Sequence, residues 1–222
     1  MKKLLIIGIN GTVGKAVAEL AAKKDYEVFG TSSRKEKSSD KIFYLDFLNQ
    51  KSIEDFDLKL EFDDVLITAG KEPQFNLYES SPNHIQDMFT IHVIGPILWI
   101  KKSVKNIKTG GSITFISSPA AYKGSYDPSY AAVKGAINSL VRTLAKDLAP
   151  EIRVNSFAPG LIENSPVFER MTPDFREKHL NATLTKRNTS AEDCAKSILF
   201  LMESPQITGQ ILHVNGGMIY GS

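Results

Sequence analysis

The chain has 222 residues, 42% of them hydrophobic and 23% charged, with a formal net charge of +2. That composition fits an ordinary globular protein and gives no electrostatic argument for nucleic acid or an acidic surface. The single cysteine, Cys194, excludes an intrachain disulfide and reads as a small buried hydrophobe rather than a reactive thiol.

Along the chain, β-rich apolar runs alternate with helical stretches, the pattern of a parallel α/β sheet covered on both faces. Lys2 and Lys3 precede an apolar run that stops at Gly8, too short for the core of a signal peptide. No later run reaches the ~20 apolar residues needed to span a bilayer. A cytoplasmic location without membrane or nucleic-acid partners is therefore expected, and no metal-ligand cluster is seen. Strands are expected at 3–8, 27–32, 42–46, 64–70, 112–118, 152–159 and 210–216. Helices are expected at 12–24, about 82–106, about 128–149 and about 190–203. Pro82 behind serines, and Ser190 followed by Asp193, mark two helix starts. The stretch 32–42 is too short for a full crossover helix and predicts a turn or a stub. The long segment at about 160–189, with Pro166 and Pro173, predicts a mobile substrate lid. No domain boundary is visible, so residues 1–222 are expected to form a single Rossmann-type domain, a doubly wound parallel sheet of about seven strands with helices on both faces.

The first strand runs into GINGTVG and then a helix. Gly8, Gly11 and Gly14 permit a tight turn and a close approach of backbone N–H groups to a diphosphate. Asn10, Thr12 and Val13 complete this candidate dinucleotide cradle. The second strand ends in Ser32, Ser33 and Arg34, where a carboxylate would favour the free ribose of NAD. Hydroxyl and guanidinium donors without a carboxylate favour the phosphate of NADP(H) over NAD(H). Near the middle, SYAAVKG places Tyr130 and Lys134 one helical turn apart, on one face.

These motifs, in this order, make the chain resemble the short-chain dehydrogenase/reductase family almost end to end, nearest in look to 3-oxoacyl-carrier-protein reductases. The resemblance adds Asp46 as an adenine contact, Ala69 and Gly70 in ITAG, and Pro159, Gly160, Ile162 and Asn164 near the sixth strand, as cofactor-binding positions. It implies an NADP(H)-dependent oxidoreductase interconverting a carbonyl and a secondary alcohol. Tyr130 would be the acid/base, Lys134 would lower the tyrosine pKa and hold the nicotinamide ribose, and a serine would polarise the carbonyl. Counting from Gly111 gives Ser118; counting back from Tyr130 gives Ser117. Strand register is stiffer than loop length, which favours Ser118. His92 stands where the family often has an asparagine, and its ordinary pKa near ~6.5 would add pH sensitivity. Thr68 replaces the asparagine of the fourth-strand motif, and Asn164 replaces a threonine. These departures leave a low-activity dinucleotide-binding regulatory or scaffolding protein as the alternative. The resemblance also implies a small-molecule carbonyl or alcohol substrate and a homodimer or homotetramer built on helices 82–106 and 128–149.

Overall fold

The computed structural model describes residues 1–220; Gly221 and Ser222, the end of the expected domain, lie outside the described residues. Seven strands form one parallel sheet in the order β3-β2-β1-β4-β5-β6-β7. They are β1 (Lys2–Ile7), β2 (Tyr26–Ser32), β3 (Ile42–Tyr44), β4 (Phe62–Ile67), β5 (Ile107–Ile116), β6 (Ile152–Pro159) and β7 (Ile211–Val214). All seven expected strands are present. The chain reverses its direction of sheet growth between β1 and β4, so the carboxyl ends of these strands open onto the crevice where such sheets bind ligands.

Side-chain alternation divides the core in two. Leu5, Ile7, Val65, Ile67, Ile113, Phe115 and Val154 face one way. There they meet Trp99 and Ile100 of α4 (Gly95–Ser103) and Ile137 and Val141 of α6 (Pro128–Asp147). Leu4, Ile6, Leu66 and Phe157 face the other way. They meet Val17 and Ala21 of α1 (Thr12–Ala22) and Ile198, Leu199 and Met202 of α9 (Ala191–Glu203). Cys194 is fully buried in this second layer, and burial pushes its thiol up to about 12, as expected for an inert core residue. Ser190 and Asp193 form the capping box that starts α9.

The expected helix over 82–106 is not uniform. α3 (Pro82–Phe89) passes into a π-helical turn at Thr90–Ile94, then α4, then a 3-10 turn at Val104–Asn106. Pro96 has no N–H to offer the carbonyl of His92, so the regular ladder cannot continue there. Short helices absent from the sequence reading appear at α2 (Gln50–Glu54), α5 (Ala120–Lys123), α7 (Pro166–Arg170) and α8 (Pro173–Asn181). The expected stub after β2 is one 3-10 turn, Lys35–Lys37. The excursion that carries α7 and α8 leaves from β6 and returns before α9. Its two ends are pinned by a parallel bridge between Ile162 and Thr189.

Gly95 sits where α4 crosses Phe47: an added Cβ would lie 2.6 Å from the Phe47 Cβ. Gly95→Ala is expected to lower stability by about 1–3 kcal/mol through overpacking, as checked by urea denaturation.

Candidate active site

Three carboxyl-end segments converge on a cavity of about 720 Å³. The first is the glycine turn. Gly8 has a φ of +91°, and a Cβ there would stand 2.8 Å from the Ala69 amide nitrogen. A Cβ on Gly14 would stand 2.8 Å from the Gly8 carbonyl oxygen. Both positions are therefore closed to any other residue. The Thr68 hydroxyl reaches the carbonyls of Ile7 (3.0 Å) and Gly8 (2.9 Å), tying β4 to this turn. Thr68 thus has a structural task, and it lines the cavity as well.

The second segment is the end of β5 and the turn after it. Ser117 is buried and donates to the Asn138 side chain at 2.6 Å. Ser118 lines the cavity beside Tyr130, as Ser117 also does, and accepts from the Ala120 amide at 3.1 Å. The third segment is α6. Lys134 is 5% exposed, donates to the Ile116 carbonyl at 2.8 Å, and lies 5.3 Å from the centre of the Tyr130 ring.

The electrostatics differ from the simple expectation that Lys134 lowers the Tyr130 pKa. Burial pushes the Tyr130 phenol up to about 12; the Ser118 hydroxyl acts against this, while Glu72, Tyr126 and Asp127 add to it. Burial pushes Lys134 down to about 7. With its ammonium turned to a backbone carbonyl and over the ring face, the lysine does not offset the desolvation of the phenol. His92 departs further. Burial, then the charge of Lys134, push it down to about 3, against the backbone of Lys71. It is neutral across the ordinary pH range, so the expected pH sensitivity at this residue is not found. Its Nε2 lies 3.0 Å from the Lys71 amide and 2.9 Å from the Lys71 carbonyl. Its ring stands edge-on to Tyr130 at 6.2 Å, and a Cβ on Gly70 would collide with it at 2.5 Å.

The cavity wall therefore contains Ser118, Tyr130, Lys134 and His92, together with Gly11, Thr12, Val13, Gly14, Gly70, Pro159, Gly160 and Ile162. Gly8, Asn10 and Ala69 shape the turn without lining the cavity. Ser32, Ser33, Arg34 and Asp46 lie away from it, at the ends of β2 and β3. Ser32 is buried and its hydroxyl accepts from the Arg34 amide at 3.1 Å. The Asp46 carboxylate accepts from the Leu48 amide at 3.0 Å. Asn164 also stands outside the cavity. It is exposed, with a left-handed φ of +57°, and its neighbour Ser165 lines the wall instead.

The chain matches the family described as "Enoyl-(Acyl carrier protein) reductase" over residues 8–219. It is 32% identical to a Xenopus laevis protein, "Carbonyl reductase family member 4", with 98% of each chain covered. It is 28% identical to the Mus musculus "3-oxoacyl-[acyl-carrier-protein] reductase", again with 98% of each covered. A solved small-chain dehydrogenase in complex with NADPH superposes with a TM-score of 0.84, at 26% identity and 98% coverage of both chains. The chain belongs to the short-chain dehydrogenase/reductase family.

Members of this family are oxidoreductases that bind a nicotinamide dinucleotide, and the glycine turn of this chain fits one. Gly11 and Gly14 line the cavity, a Cβ on Gly14 would strike the backbone of Gly8 and Ile9, and the first turn of α1 presents its free N–H groups there. Sequence reasoning did not find the part of the cavity wall contributed by Lys71, Glu72, Pro73, Lys123 and Met218. No local motif marks those positions. They are held by contacts distant in sequence: Arg170 of α7 pairs with Glu72, the Tyr126 hydroxyl donates to the Pro73 carbonyl at 2.8 Å, and the Lys123 ammonium meets the Met218 sulfur at 2.9 Å.

The depressed pKa of Lys134 makes a stability prediction for this reductase-family chain. Between about 7 and the ordinary value of 10.5 the unfolded state binds a proton that the native state does not. Stability is then lowest below about pH 7 and rises as the pH approaches 10. Lys134→Met is expected to lack that rise, which urea unfolding of both proteins across this pH range would reveal.

Proposed function

We propose that the protein is an NADP(H)-dependent reductase that interconverts a carbonyl compound and a secondary alcohol. The observation that carries this reading is the convergence of Ser118, Tyr130 and Lys134 on one cavity wall, facing the glycine turn. Relatives named for carbonyl and 3-oxoacyl-carrier-protein reduction, and the NADPH-bound neighbour, support it.

The dinucleotide, when bound, supplies the hydride. Gly8, Asn10, Gly11, Thr12, Val13 and Gly14 would hold its diphosphate, with Ala69, Gly70, Pro159, Gly160 and Ile162 flanking the nicotinamide half. Ser32, Ser33 and Arg34 would hold the phosphate that distinguishes NADPH, with Asp46 beside the adenine and Asn164 at the outer edge. Ser118 would donate to the substrate carbonyl oxygen and orient it toward the phenol. Tyr130 would give its proton to that oxygen as negative charge develops, and would take it back in the oxidising direction. Lys134 would hold the nicotinamide ribose. Burial keeps the phenol protonated at neutral pH, the form an acid needs, and the Ser118 hydroxyl beside it works against that upward shift. Neutral His92, held on the Lys71 backbone, would form the back wall of the proton-transfer site and set the Tyr130 ring in place.

The apolar part of the wall, with Leu161, Val167, Met171 and Phe175, comes from the excursion between β6 and α9. We propose that this excursion acts as a lid over the substrate. The assembly would be a homodimer or homotetramer on α3, α4 and α6, where Ile85, Ile94, Ile97 and Leu98 are exposed.

Tyr130→Phe is expected to cut turnover of a ketone with NADPH by ~10²-fold or more while NADPH still binds, measured by steady-state kinetics and by energy transfer from Trp99. Full activity in that variant would remove the proposed acid. Wild-type binding without turnover of any carbonyl would favour a regulatory role. Arg34→Ala is expected to weaken NADPH by roughly tenfold and leave NADH unchanged in parallel titrations. Equal losses would remove the phosphate contact.

A further inference from the structure

One fully buried charge lies beside the proposed acid and belongs to none of the roles above. Asp127 is 0% exposed. One of its oxygens, Oδ1, accepts from the Ser129 hydroxyl at 2.6 Å and from the Tyr130 amide at 3.1 Å. The other, Oδ2, accepts from His84 Nε2 at 2.9 Å, from the Gln74 amide at 3.0 Å and, more weakly, from the Phe75 amide at 3.5 Å. Burial alone would raise this carboxyl, but the donors around it outweigh burial and hold it at about 2, so the group stays ionised. His84 is itself buried, in α3, with the Phe75 ring edge-on to it at 4.9 Å.

A helix cap needs only the Oδ1 contacts. The Oδ2 contacts reach elsewhere, to a turn and a helix far away in sequence. The turn continues the stretch Gly70–Pro73, which lines the cavity, and within that stretch Lys71 holds His92. We propose that Asp127 is a positioning residue for the reaction: it locks the start of the Tyr130 helix and the 73–75 edge of the substrate wall into one unit, with His84 as the third member. The proposal rests on Tyr130 as the proton-transfer group. Each oxygen serves one side of the unit, so a shift of the wall relative to the phenol would break hydrogen bonds to a buried carboxylate, at high cost. The charge of Asp127 also opposes ionisation of Tyr130.

Asp127→Asn tests this with nearly constant shape. Its Oδ1 still accepts from Ser129 and Tyr130, whereas its amide nitrogen cannot accept from Gln74 and Phe75. The expected result is faster hydrogen exchange at the Gln74 and Phe75 amides with the Tyr130 amide still protected. Ketone turnover should fall by roughly tenfold to a hundredfold in kcat, with NADPH affinity unchanged. The pH limb assigned to Tyr130 should move to lower pH. The groups facing that phenol are Lys134 of its own helix, His92 of the π turn, Glu72, Tyr126 and Ser118, and the variant alters none of them. Unchanged exchange at Gln74 and Phe75 overturns the proposal. So does faster exchange with kcat and the pH limb both unmoved, since Asp127 would then serve the fold alone. If Asp127→Asn fails to fold, the pair His84→Leu and His84→Gln decides: the first is expected to lose kcat and the second, which keeps a donor, to restore it. A His84→Leu protein with wild-type kcat overturns the proposal. A wild-type protein that reduces no ketone overturns the reductase reading instead, and the exchange data then still decide whether Asp127 joins the two segments.

Discussion

Lys134 donates to the Ile116 carbonyl, and this bond ties α6 to the carboxyl end of β5. One helical turn earlier stands Tyr130; two residues past the end of the strand stands Ser118. The lysine tie thus holds the stretch that carries the phenol beside the stretch that carries the serine hydroxyl. Ile116 is the last residue of an interior strand, and its carbonyl at the carboxyl end of the sheet takes the lysine as its donor.

The same burial that fixes the geometry shapes the charges. Desolvation drives Tyr130 and Lys134 toward their neutral forms from opposite directions, and His92 with them. The cavity side of α6 is therefore low in net charge, with Asp127 as the fixed negative group at the start of that helix.

Much of this was legible in the chain because it is local. The strands announce themselves by apolar runs, the cradle by Gly8, Gly11 and Gly14, and α9 by Ser190 and Asp193. Tyr130 and Lys134 are readable as a pair since their spacing is one turn. What escaped depends on contacts distant in sequence or on the loss of a single donor. The π turn around His92 follows from Pro96, four residues on, but its use as a mount for the ring on the Lys71 backbone needs β4 to be in place. Asp127 reads as an ordinary helix cap until the 73–75 turn and His84 close around its second oxygen. The pKa of Lys134 needs the depth of a cavity, which no spacing encodes.

The bridge between Ile162 and Thr189 has a wider meaning. It closes the excursion at its base, and Thr189 reinforces the closure by donating to the Val214 carbonyl at 3.1 Å; within the loop the Leu184 amide also donates to the Gly216 carbonyl at 2.7 Å and Arg170 pairs with Glu72. Closing a loop costs little more as it lengthens. The cavity wall carried by the excursion can thus differ in length and side chains while β6, β7 and the glycine turn beneath them keep their positions. A fold built this way lets one side of the cavity diverge while the turn that fits a dinucleotide stays constant.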